Sequence, residues 1–316
     1  MKPRTLALLA LLSVTVIWGA TFYWMKLALN AAELRLGPGI TPAASGLFLI
    51  VRFGLAGLLL PLFVKGARQG ASLSPRLFRD AGLLGGLLLI GFLIQMIALE
   101  DITPAVSAFL TSLYVIFTAF LSLFFARHRQ IHPSLLLGVL FATLGAAFIS
   151  GPPQLNFDVA EWMTVLCAFL FAGSILSTDH ATRQHPPAMV SLVSFWVVTA
   201  GAVVYLTVIL RGASAPAFGD LLGLLGDWGY LMPLLCCSLL ATLLALTLLN
   251  HFQRQISPVR AATLYSLEPV WGAIISITMG AELIDGAEGL DPWLFVGAGA
   301  LLAGNLVAEF GPRKRV

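Results

Sequence analysis

Residues 102–113 read ITPAVSAFLTSL and residues 256–267 read ISPVRAATLYSL. Ile102, Thr103 and Pro104 recur as Ile256, Ser257 and Pro258 at an offset of 154 residues, and Ser112 and Leu113 recur as Ser266 and Leu267 at the same offset. Further on, Pro133, Gly138 and Gly145 correspond to Pro292, Gly297 and Gly304 at an offset of 159, with the extra residues in the acidic stretch 285–291. The chain therefore reads as a duplication, one copy in residues 1–150 and the other in 151–316.

Both copies lie in very apolar sequence. Of the 316 residues, 59 % are hydrophobic and 10 % charged, against roughly 45–50 % and about 25 % in soluble domains. That composition excludes a soluble globule. A hydrocarbon layer about 30 Å thick takes about 20 apolar residues per helix. Cutting at charges, prolines and polar runs gives ten candidate spans: 5–29, 43–64, 78–99, 102–125, 133–150, 159–178, 187–210, 229–250, 256–279 and 292–310. The expected fold is an all-α polytopic membrane protein. The first span follows Lys2 and Arg4 but is too long for the apolar part of a signal peptide, so it is read as uncleaved.

Charge placement tests the count, because Lys and Arg accumulate on the cytoplasmic side. With the N-terminus inside, thirteen of eighteen basic residues fall inward, whereas the outward loops hold only Arg35 and Arg211 together with eleven acids. Both termini are thus expected in the cytoplasm, at the inner membrane. Five spans per copy is an odd number, so the second copy enters the membrane inverted. Inverted repeats typify secondary transporters, whose sites lie between the repeats near the midplane.

Several short motifs resemble those of the EamA-type family of the drug/metabolite transporter superfamily. They are Trp18-Gly19-Ala20-Thr21-Phe22, Arg52-Phe53, Ser266-Leu267-Glu268-Pro269-Val270, Gly280-Ala281-Glu282, and Gly297 with Gly304. The first copy departs from the second in having Tyr114-Val115 where the second has Glu268-Pro269, and His128 where it has Glu282. The resemblance implies ten helices in two inverted five-helix repeats, a cavity enclosed by spans 1–4 and 6–9, peripheral spans 5 and 10, and export of small metabolites or amino acids.

Among the charges that fall inside spans, Lys26, Arg52 and Glu268 call for an explanation. An intramembrane charge costs about 2.5–3.5 kcal/mol at a helix centre on insertion scales, so it needs a partner, water or a function. Arg52 and Glu268, near the middles of spans 2 and 9, either pair across the cavity or face water there, and both are candidates for substrate binding or coupling. Lys26 is expected to snorkel to the outer boundary. Pro269 removes a backbone donor and is expected to break span 9 beside Glu268. Trp18, Tyr23 and Tyr265 are expected as walls, within a wider set that includes Gln95, Tyr114, Ser174, Trp196, Asn250, His251 and Trp271. Proton coupling through Glu268 and facilitated diffusion both remain open.

No nucleotide-binding, nucleophile-elbow or zinc-hydrolase motif is present, so an ATP-driven pump is disfavoured and no cofactor is expected. His128 and His132 stand among basic residues and cannot complete a metal set, so no metal is expected. Cys167, Cys236 and Cys237 all lie in apolar runs, which disfavours a disulfide framework. The expected partners are a small-molecule substrate and the lipid bilayer, with no nucleic acid. The small-residue faces of spans 5 and 10 would join them to their own bundle or to a second protomer, giving a monomer or homodimer. The rival reading is a polytopic membrane enzyme acting on lipid or head-group substrates, which should show a cluster of His, Asp or Ser at one interface.

Overall fold

A computed structural model of the chain describes residues 3–68, 73–125, 133–148, 157–212, 215–279 and 292–310. The described residues are helical throughout, with no strand among them. The helices are α1 (Pro3–Leu36), α2 (Thr41–Phe63), the short α3 (Lys65–Arg68), α4 (Pro75–Ala98), α5 (Pro104–Ser112), α6 (Tyr114–Phe125), α7 (Pro133–Ala147), α8 (Val159–Gln184), α9 (Pro187–Ile209), the short α10 (Phe218–Gly223), α11 (Trp228–Cys236), α12 (Ala245–Phe252), α13 (Pro258–Tyr265), α14 (Glu268–Met279) and α15 (Pro292–Phe310). A π-helical segment, Cys237–Leu244, joins α11 to α12.

Among the described residues, seven stretches are long and apolar enough to cross a membrane: Thr5–Leu36, Thr41–Phe63, Pro75–Ala98, Pro104–Phe124, Val159–Gln184, Pro187–Ile209 and Trp228–Gln255. They match seven of the ten candidate spans. The acidic stretch 285–291, His128, His132 and the motif at residues 280–282 lie outside the described residues.

Helix starts follow local chemistry. Pro75 and Pro104 occupy first helical turns, where the missing N–H costs nothing, and Ser74 and Thr103 accept from the backbone N–H of Leu77 and Val106. Asp158 and Glu161 form a capping box at the start of α8.

The core lies between the two copies. α4 packs on α8 and α9, α2 packs on α9 and on the π segment, and α1 packs on α11 and α14. Phe53 meets Phe92 and Phe195 at centroid separations of 5.6 and 5.8 Å, so one aromatic cluster joins α2, α4 and α9. Tyr230 is fully buried, and its hydroxyl donates to the Ala44 carbonyl at 2.8 Å. Tyr230→Phe is expected to lower stability by about 1 kcal/mol, the usual worth of such a bond, as thermal unfolding in detergent would show.

α7 and α15 lie against each other, and Gly138, Gly145, Gly297 and Gly304 are all buried. These two helices thus pack within the chain, as small residues on a helix allow.

Two placements refine the sequence reading. Lys26 reaches the loop end of α4, where its Nζ donates to the carbonyls of Leu99 and Glu100, both at 2.8 Å, and so caps that helix. The break beside Pro269 is not proline's alone. Both α5–α6 and α13–α14 are interrupted at the repeated Ser-Leu pair, and the first has no proline there. At both breaks a serine donates to the carbonyl three residues back, Ser112 to Phe109 at 2.7 Å and Ser266 to Thr263 at 2.6 Å.

Candidate functional site

A cavity of about 60 Å³ lies where the two copies meet. Its charged and polar walls are Arg52 from α2, Gln95 from α4, Thr111 and Tyr114 from the α5–α6 break, Asn250 from α12 and Glu268 at the start of α14. Leu84, Leu88, Phe92, Phe171, Phe195 and Leu249 supply the apolar surface. Its lining takes in the middles of α1 and α2, the two helix breaks, the stretch of α4 from Leu84 to Gln95, and the facing parts of α8, α9 and α12.

Arg52 is 1 % exposed. Its Nε donates to the Thr242 hydroxyl at 2.7 Å, one Nη faces Met25 Sδ at 3.7 Å, and its guanidinium lies 4.4 Å from the centre of the Phe92 ring. Thr242 sits in the π segment, whose wider turn shifts the register of the side chains that follow it. The same segment turns the Ala241 carbonyl to accept from the Trp18 indole at 3.2 Å.

Glu268 is 7 % exposed, and its Oε2 accepts from the Tyr114 hydroxyl at 3.3 Å. Tyr114 and Glu268 stand 154 residues apart, the offset of the repeat, so equivalent positions of the two copies touch. Tyr265 meets the Trp18 ring edge-on at 5.7 Å and donates to Gln253 Oε1 at 3.1 Å, and Gln253 in turn donates to the Ile175 carbonyl at 2.7 Å. This chain of contacts ties α1, α13 and α8 to the end of α12.

α1 reaches α14 without an intervening side chain at Gly19. A Cβ there would lie 2.6 Å from Trp271 Cβ and 2.8 Å from both the Glu268 carbonyl oxygen and the Gly272 nitrogen. The glycine of the Trp18–Phe22 motif therefore sets how near α1 comes to the turn that carries Glu268.

Arg52, Trp18, Tyr265 and Glu268 all line the cavity. Tyr23 does not: it is 3 % exposed but lies two residues past Thr21, which faces the cavity, and residues two apart point to different sides of a helix. Pro269 sits in the first turn of α14 and lines nothing. Arg52 and Glu268 share the cavity without pairing, since among the described residues no carboxylate stands within ion-pair distance of the guanidinium. Of the wider set, Gln95, Tyr114, Ser174 and Asn250 reach the cavity, whereas Trp196, His251 and Trp271 do not.

Thr21, Thr111, Gln253 and Thr242 were not singled out from sequence. Thr21 had a signal, three residues beyond Trp18 and on its face. Thr242 had none, because its orientation depends on the π turn.

The EamA-like transporter family model matches residues 5–151 and residues 159–308. The chain is 27 % identical to an uncharacterized transporter of Archaeoglobus fulgidus over 282 residues, 89 % of this chain and 80 % of the relative. It is 22 % identical to the uncharacterized inner membrane transporter YedA of Escherichia coli K12 over 294 residues, covering 91 % and 86 % of the two chains. A solved crystal structure superposes with a TM-score of 0.67 over 97 % of both chains at 14 % identity, a likeness of fold alone.

Proposed function

The chain belongs to the EamA-like transporter family, and from that premise we propose a secondary exporter of small organic metabolites or amino acids across the cytoplasmic membrane. It works by alternating access around the cavity, with ten spans in two inverted repeats, 1–150 and 151–316, and both termini cytoplasmic. Arg52 and Glu268 hold or couple substrate, and Trp18 and Tyr265 form walls. Proton coupling runs through Glu268.

The observation that carries this reading is the contact between Tyr114 and Glu268 inside the shared cavity. Equivalent residues of two repeats meet only near the axis that relates them, which is where transporters of this architecture place their substrate. The helix contacts support the same symmetry. Exchanging the copies turns the α4–α8 contact into α11–α1, and the α1–α14 contact into α8–α6, and all four are present.

Sidedness follows from the charges at the two ends of the bundle. Arg76, Arg79 and Arg183 lie at one end, and Glu33, Asp101, Asp158 and Glu161 at the other. By the preference of basic residues for the cytoplasm, the end with the arginines faces inward. Reporter fusions after Val316 and within residues 151–156 are expected to lie on opposite sides of the membrane, the first cytoplasmic. A same-side result removes the ten-span map. Saturable movement of labelled metabolites into proteoliposomes tests transport itself, and its absence across a broad panel in folded protein removes the exporter reading.

A further inference from the structure

We infer that the cavity takes a small monocarboxylate anion, its carboxylate on Arg52, and moves it together with one proton carried by Glu268. This rests on the transporter reading above and names the substrate class of the same site.

The first ground is the state of Arg52. It is fully buried and lines the cavity, yet its partners among the described residues are a threonine hydroxyl, a thioether and aromatic faces, with no carboxylate. A buried guanidinium without an anion is costly, and its planar fork matches a carboxylate in paired hydrogen bonds. Thr242 takes Nε, which holds the fork in place and leaves its other edge to a ligand.

The second ground is charge balance. The ionisable groups facing Glu268 are Tyr114, Tyr265 and Cys167, and Cys237 faces Arg52, so Arg52 is the cavity's one cation among the described residues. A carboxylate brought beside Arg52 leaves one negative charge in excess while Glu268 is ionised and none once it is protonated. In a low-dielectric site the neutral sum is strongly preferred. Loading one anion thus takes up one proton, and the pair crosses with no net charge.

The third ground is size. A cavity of about 60 Å³ has room for roughly four to six water-sized groups, at about 10–15 Å³ each. The hydroxyls of Thr21, Ser174 and Ser194 stand among its leucine and phenylalanine walls, and since each donates to a backbone carbonyl, its oxygen is left to accept from a polar substituent.

Lactate, alanine and alaninamide share a frame but carry an anion, a zwitterion and a cation. In proteoliposomes of the full chain, lactate is expected to move saturably, with one proton per molecule and no response to an imposed membrane potential. Alanine should be at least ~10-fold slower and alaninamide should not move. Arg52→Gln should abolish lactate movement. Because that variant removes a buried group, Thr242→Val is the second test: it keeps the shape, removes the Nε acceptor, and should raise the KM for lactate about tenfold in the protein that stays folded. Movement of alanine or alaninamide without lactate, or lactate movement that carries charge, overturns the inference while transport stands. So does movement only of larger compounds in a broader panel. Failure of every compound in folded protein removes the transporter reading itself.

Discussion

Glu268→Gln is expected to abolish the response of transport to a pH gradient, lowering gradient-driven accumulation in proteoliposomes at least ~10-fold while leaving exchange without a gradient measurable. Gln keeps the volume of the side chain and its carbonyl still accepts from the Tyr114 hydroxyl, so the contact between the repeats survives. What it loses is the capacity to bind and release a proton. Among the described residues, Glu268 is the only carboxylate on the cavity wall, so no neighbour there replaces it. Accumulation that still follows the gradient in the variant would move coupling elsewhere. A loss of exchange as well would assign Glu268 to substrate binding.

Gly19→Ala is expected to cost about 1–3 kcal/mol of stability, the range for overpacking a close contact, and to reduce transport more than the stability loss explains. The obstruction includes backbone on both sides of the Trp271 Cβ, namely the Glu268 carbonyl and the Gly272 nitrogen, so rotating a side chain cannot relieve it. α1 and α14 must separate, and the turn that bears Glu268 moves with them. Gly82→Ala is the control. A Cβ at Gly82 meets nothing within 4 Å, and alanine is the better helix former by about 0.5–1 kcal/mol, so that variant should unfold at the same or a slightly higher temperature. Equal behaviour of the two variants would mean that the approach of α1 to α14 is not tight.

The features most legible in the sequence were those that depend on composition and repetition. Apolar length located the helices, prolines marked several of their starts, and the recurring Ser-Leu pair marked the duplication but not the breaks in the two helices that carry it. The offset of 154 residues also matched Tyr114 to Glu268, the two residues that touch. The relation between Arg52 and Glu268 was not legible. Both were visible as intramembrane charges, but whether they meet depends on how α2 and α14 cross the cavity, which spacing along a chain does not encode. Lys26 was visible as a charge near a helix end, while the carbonyls that it caps belong to a helix about 70 residues away. The π segment left no mark either: residues 237–244 read as uninterrupted apolar helix, and their wider turn is known only from where Thr242 and Ala241 point. Tyr23 was expected as a wall on its aromatic character, but helical phase places it on a different side of α1 from Thr21.

Alternating exposure of one cavity between the repeats is the centre of the account, and a single cysteine on its wall tests it most directly. In a chain with Cys167, Cys236 and Cys237 replaced by alanine, Ser174→Cys places a thiol on the lining of α8. Sealed vesicles of each orientation would then be treated with a membrane-impermeant thiol reagent. Labelling from both sides, with the balance between them shifted by an imposed pH gradient, is the expected result. Labelling from one side alone, whatever the gradient, would contradict alternating access.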